Sequence, residues 1–142
     1  MTDAAVTQVY EDRFGAVLDH ADAGYLEIRW YDTTEGMSEG QFQDWLAGFA
    51  ADVERRRPSR ILVDNTSFLM DPANSDGEWR DKNIVPRYNA GGVRKFAFHM
   101  PEGMPAIGSP PEREGPATYP TAYFARRQAA LDWLAPDGAT TN

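Results

Sequence analysis

Between Tyr25 and Tyr31 the chain alternates: Leu26, Ile28 and Trp30 fall on one side, Glu27 and Arg29 on the other. A period of two marks a half-buried strand. Phe14 to Asp19, with Ala16, Val17 and Leu18, is a shorter extended run just before it, and Ala21-Asp22-Ala23-Gly24 lies between the two. Turn-forming residues between two extended runs predict a β-hairpin. The period then changes. Phe42, Trp45, Leu46, Phe49, Ala50 and Val53 form one continuous helical stripe, opposite Asp44, Asp52 and Glu54. Ser38 and Gln41 have capping-box spacing, and Met37 is placed to staple onto Phe42. Arg55, Arg56 and Arg57 suit the negative end of the helix dipole, and Pro58 stops the helix.

Ile61-Leu62-Val63, running from Arg60 to Asp64, is short and continuously apolar, as in a strand covered on both faces. A turn-rich stretch leads from Asn65 to Asn74. Ser75-Asp76-Gly77-Glu78 repeats the capping-box pattern ahead of a helix that carries Trp79. Pro86 has no N–H and must kink or divide that helix. Asn89-Ala90-Gly91-Gly92 ends it. Val93 to His99, with Phe96, Ala97 and Phe98, predicts another apolar strand. Ala122-Tyr123-Phe124 predicts a short edge strand, and Ala129, Ala130, Trp133 and Leu134 the buried side of a last helix from about Arg126 to Leu134. After the hairpin, strands and helices alternate, which implies a largely parallel sheet covered by helices. The expectation is one α/β domain over residues 1–142, frayed at 1–7 and 136–142. Its central sheet is mostly parallel, of four to five strands with an N-terminal hairpin, and about three helices cover it.

Composition narrows the function classes. The 142 residues carry a net charge of −8, against the clustered cations that non-specific nucleic-acid binding requires. Cysteine is absent, which excludes disulfides and thiolate chemistry. No apolar run approaches the ~20 residues of a membrane-spanning helix. The N-terminal stretch has neither a basic start nor an apolar core, so no signal peptide is expected and a cytoplasmic location is. Six of the ten prolines lie between Pro101 and Pro120. Long loops without regular structure are uncommon in compact domains. This one is expected to be an ordered flap, anchored by Met104, Ile107 and Tyr119, over the rim where the strands at Asp64 and His99 end.

Candidate chemistry is sparse. His20 and His99 are the two histidines, without metal-ligand spacing, and no phosphate-binding or nucleophile-elbow motif occurs. No metal and no cofactor is expected. In open α/β sheets ligands collect beyond the carboxyl ends of the strands. Asp64, Asn65, Thr66 and Ser67 follow one central strand, and His99 follows another. Acid–base or nucleophilic work by Asp64, Ser67 and His99 stands against a plainer alternative. In that alternative Asp64 and Asn65 form an Asx turn, and Thr66 and Ser67 satisfy loop backbone groups.

Ile61-Leu62-Val63-Asp64 followed by Phe68-Leu69-Met70-Asp71 resembles the SpoIIAA-like branch of the STAS superfamily, related to anti-sigma-factor antagonists. Trp79, Gly91-Gly92-Val93-Arg94-Lys95 before Phe96-Ala97-Phe98, and the closing Tyr123-Phe124 with Ala129-Ala130-Leu131-Asp132-Trp133-Leu134 extend the likeness over about residues 14 to 135. The resemblance implies a STAS-like fold and a non-catalytic signalling or regulatory module that meets a protein partner or forms a homodimer. The antagonists place a phosphorylatable serine directly after Met-Asp. Here Pro72 and Ala73 stand there, and Ser75, further on, has the position of a helix cap. The surface that follows comprises Asp64, Asn65, Thr66, Ser67, Met70, Asp71, Ser75, Trp79 and His99. The same grouping includes Sec14-type lipid carriers, so a small apolar, lipid-like ligand is the alternative. An enzyme using Asp64, Ser67 and His99 ranks last.

Overall fold

A computed structural model of the chain describes residues 6–71, 77–104 and 107–135. Among the described residues seven strands form one mixed sheet: β1 (Val6–Glu11), β2 (Gly15–His20), β3 (Tyr25–Trp30), β4 (Arg60–Asp64), β5 (Lys95–His99), β6 (Glu112–Arg113) and β7 (Pro120–Phe124). Their spatial order is β1-β2-β3-β4-β5-β7-β6. β3, β4, β5 and β7 run parallel, and β1, β2 and β6 are antiparallel to their neighbours. The parallel core and the hairpin match the sequence pattern.

The strand count does not match, and two strands account for the difference. Val6 and Thr7, expected to fray, pair with His20 and Asp19 in β1. β1 is an edge strand with almost every residue exposed, so it carries no burial alternation to be read. β6 contributes only two residues, and it displaces β7 from the edge position expected for it.

The helices are α1 (Glu39–Arg56), α2 (Gly77–Asn83), α3 (Val85–Gly91) and α4 (Arg127–Leu134). Ser38 Oγ accepts from Gln41 N at 3.1 Å and the Gln41 side chain accepts from Ser38 N at 2.9 Å, completing the capping box of α1. Pro86 divides the second helix as its missing N–H requires: α2 ends at Asn83, and Pro86 stands in the first turn of α3.

Side chains alternate across the sheet. Leu26, Ile28, Trp30, Ile61, Val63 and Phe96 face α1 and α3 in the larger core. Tyr25, Leu62 and Ala97 face Ala130 and Leu134 of α4 in a smaller one. β4 is therefore covered on both faces, which is why its apolar residues run without a break. Glu27 is not on a solvated face as the alternation suggests; it lies on the α4 side, fully buried.

Candidate functional site

Register brings Arg29, Asp64, His99 and Phe124 into one row across the carboxyl ends of β3, β4, β5 and β7. Asp64 and His99 share the parity of Leu62 and Ala97, so both side chains lie on the α4 face. His99 Nδ1 is 3.9 Å from Asp64 Oδ1, beyond hydrogen-bond reach, and is buried without a hydrogen-bond partner. Asp64 Oδ1 instead accepts from Thr66 N at 3.0 Å and Thr66 Oγ1 at 2.6 Å. This is the local turn that Asx chemistry favours. Ser67 is exposed, and no hydrogen bond joins it to Asp64 or His99. The three residues of the enzyme alternative do not form a nucleophile–base pair here.

The remaining members of the expected surface are scattered. Met70 is buried in the larger core, Asp71 is exposed, and Trp79 packs half-buried against the core. Ser75 and the start of its expected capping box lie outside the described residues. Asn65 faces differently from Asp64. Its backbone N–H donates to His99 O at 2.8 Å and its Nδ2 to Met100 Sδ at 3.5 Å, while its Oδ1 is buried without a partner.

On the α4 face the dominant feature is one that alternation concealed. Arg127 donates to both oxygens of Glu27, at 2.8 and 2.9 Å. Arg29 adds a contact at 3.2 Å and His20 Nε2 one at 2.7 Å. Burial alone raises the Glu27 carboxyl. The hydrogen bonds from Arg127 and His20 and the charges of Arg127 and Arg29 outweigh it and hold the group at about 2. Glu27 also raises the Arg127 guanidinium above its ordinary value through the same hydrogen bonds. The carboxylate is saturated with donors, so the cluster fixes α4 to β3 and leaves little for a ligand.

The opposite face holds a cavity of about 160 Å³ at the same carboxyl ends. Its floor is Ile28, Trp30, Val63, Phe96 and Phe98 from the sheet. Phe42 and Leu46 of α1 form one wall, and Arg80, Asp81, Val85 and Tyr88 of α2 and α3 another. Glu114, Ala117 and Tyr119 of the proline-rich segment form a third, and Asn65 enters from the end of β4.

That third wall is fastened in place. Asn89 Nδ2 donates to Pro116 O at 3.0 Å, and Asn89 Oδ1 accepts from Thr118 N at 2.9 Å. The Tyr123 hydroxyl donates to Glu114 Oε2 at 2.7 Å, and the Tyr119 ring stacks on Phe96 at 5.8 Å. A Cβ on Gly115, at φ 55°, would stand 2.9 Å from Asp81 Oδ2; glycine is what lets the segment come so close to α2. Tyr119 thus anchors the segment as expected, whereas Met104 is exposed. Glu114, Ala117 and Tyr119 thus wall the cavity on the Asn65 side of the sheet, opposite the face that carries the Asp64 and His99 side chains.

The cavity is mostly apolar, with a few polar groups. Burial pushes the Tyr88 and Tyr119 phenols well above their ordinary value, so both remain protonated. Arg80 Nε, like Asn65 Oδ1, is buried with no hydrogen-bond partner. Sequence reasoning missed Arg80 and Glu114, because each reaches the cavity through tertiary placement and neither stands in a motif.

Among the described residues no group of three or more His, Asp or Glu side chains is arranged to hold a metal ion. No described helix is long and apolar enough to cross a membrane. Comparison with family models, with curated proteins and with solved structures finds no match to this chain.

Proposed function

We propose that this chain is a non-catalytic binding domain that takes a small, largely apolar molecule in the cavity between the sheet, α1, α3 and the proline-rich segment. The observation that carries this is the cavity itself: about 160 Å³, aromatic-walled, at the carboxyl ends of parallel strands. A well-packed core of this size has few voids larger than a water molecule. This pocket opens partly to solvent, and a fastened loop forms one of its walls. The parallel run β3-β4-β5-β7 with helices on both faces supports the STAS-like reading of the fold, and the Sec14 side of that resemblance agrees with a bound ligand. A lipid-like chain would have to project from a space of this volume.

Toluene titration followed by amide chemical shifts, on the intact chain and on Ala117→Phe, tests the proposal. Shifts that saturate around Tyr88 and Tyr119 in the native chain and vanish in the filled variant are expected. No shifts in the native chain, or equal shifts in both, would overturn it.

One observation favours a second reading, a protein-interaction surface of the signalling kind. Leu69, on the connection after β4, is 52% exposed. A partner or a second copy of the chain would cover it. In a pull-down, Leu69→Asp, Asp71→Lys and Trp79→Ala that all bind as well as the native chain would remove this surface.

A further inference from the structure

Among the described residues β1 is the outermost strand on its side of the sheet, so one side of its backbone has no strand beside it. Such an edge is a template for a further strand, and proteins commonly blunt it with lysine, proline or a covering element. Here Val6-Thr7-Gln8-Val9-Tyr10 carries neither charge nor proline, and Val6 and Tyr10 are left 49% and 47% exposed. A groove lies beside this edge. Val9, Tyr10 and Val17 line it from β1 and β2, and Trp45, Gly48 and Asp52 line it from α1. The β1–β2 register shifts between Gln8 and Tyr10, as at a β-bulge, and Val9 and Tyr10 both reach the groove. Gly48 stands exposed in the middle of α1, where glycine weakens a helix relative to alanine. A Cβ there would meet nothing within 4 Å, so packing inside the chain does not call for glycine. The bare backbone leaves room for a side chain of an incoming segment.

Charge selects the occupant. Residues 1–57, which hold β1, β2, β3 and α1, contain twelve Asp and Glu against five Arg, whereas the rest contains ten against nine Lys and Arg. Nearly all of the net charge of −8 therefore belongs to the part of the chain that builds the groove. At the groove itself Asp44 is exposed, and the lining cation, Arg55, is engaged with Asp52. A basic segment is attracted there. A second copy of the chain is not, because it would bring the same carboxylates and the same shifted register to the pairing.

We propose that the β1 edge and the groove beside α1 receive a basic, extended segment of a partner protein, which adds to β1 as a further strand. Alternate side chains of the added strand point to opposite faces, so one set enters the groove beside Gly48 and Tyr10 while the basic set meets the acidic surroundings. This surface is separate from the cavity described above, and no residue lines both.

Fluorescence anisotropy with three labelled decapeptides tests it: alternating lysine and valine, alternating glutamate and valine, and alternating lysine and proline. The last keeps the charge of the first but cannot pair as a strand. The lysine–valine peptide is expected to bind at least about tenfold more tightly than either of the others, and to weaken as salt rises from about 50 to about 200 mM. Its amide shifts are expected on Val6 to Glu11 and along α1. Gly48→Leu, an exposed change that favours the helix, is expected to weaken this peptide at least about tenfold with circular dichroism unchanged. Asp44→Lys is expected to weaken it too, less so at the higher salt, and keeps the comparison available should Gly48→Leu disturb the fold. Equal binding of the lysine–valine and lysine–proline peptides would reduce the contact to charge alone and overturn strand addition. Shifts confined to residues outside β1 and α1, unchanged affinity in both variants, or no binding by any peptide would overturn the surface. A dimer in sedimentation that Gly48→Leu disperses would overturn the occupant in favour of a second copy.

Discussion

The clasp around Glu27 makes a quantitative demand on stability. Arg127→Met removes the bidentate partner and leaves a fully buried carboxylate with His20 and Arg29 alone. The gap between the ordinary carboxyl value of 4.5 and the native value of about 2 corresponds to about 3 kcal/mol. Breaking a buried pair from one side costs about 3–5 kcal/mol. Arg127 is itself one-third exposed, so water screens part of its charge and the low end applies, about 3 kcal/mol. The native value lies below the unfolded one. The contribution is therefore complete above about pH 4.5 and is lost as the pH falls from there towards about 2. Urea unfolding followed by tryptophan fluorescence should show Arg127→Met less stable by about 3 kcal/mol at neutral pH, with the deficit shrinking markedly near pH 3. The exposed neighbour Arg126 provides the control; Arg126→Met should change stability by less than about 0.5 kcal/mol. A neutral-pH deficit under about 1 kcal/mol, or one that persists unchanged in acid, would refute the assignment of Glu27 as a buried charge held by Arg127.

Two further outcomes follow from close packing and capping. Gly91→Ala places a Cβ 2.8 Å from Val53 Cγ1 where α3 meets α1; it should cost about 1–3 kcal/mol in chemical denaturation, and Val53→Ala in the same chain should recover part of that loss. Ser38→Ala removes the acceptor for Gln41 N and should cost about 1 kcal/mol, with Ser38→Gly costing visibly less.

The elements that local chemistry determines were legible in the sequence. α1 announces itself through Ser38, Gln41 and an unbroken apolar stripe. β4 does so through Ile61-Leu62-Val63, and the division between α2 and α3 through Pro86. β1 was not legible, because an exposed edge strand is stabilised by backbone pairing to β2 and its side chains carry no pattern. Glu27 was misread for the opposite reason. Its alternation with Leu26 and Ile28 is real, but the face it points to is covered by α4, and its partner Arg127 lies a hundred residues away.

The candidate site was legible only in its location. The carboxyl ends of β4 and β5 were the right region, and Asn65 and Tyr119 were named in it. One residue of difference in a strand reverses the face, however, so Asp64 and His99 stand on one side of the sheet and the cavity on the other. Arg80, Glu114 and Ala117 come together with Phe42 and Leu46 through tertiary structure, and no spacing in the sequence encodes that meeting.

The binding function stands or falls with the cavity, and a crystal of the chain soaked in bromobenzene interrogates it most directly, because the anomalous signal of bromine locates the ring without bias. One strong bromine peak is expected among Phe96, Tyr119 and Val85, with the proline-rich wall in place. Bromine on the surface alone, or side chains of Phe42, Phe68 and Tyr88 collapsed into the space, would contradict it.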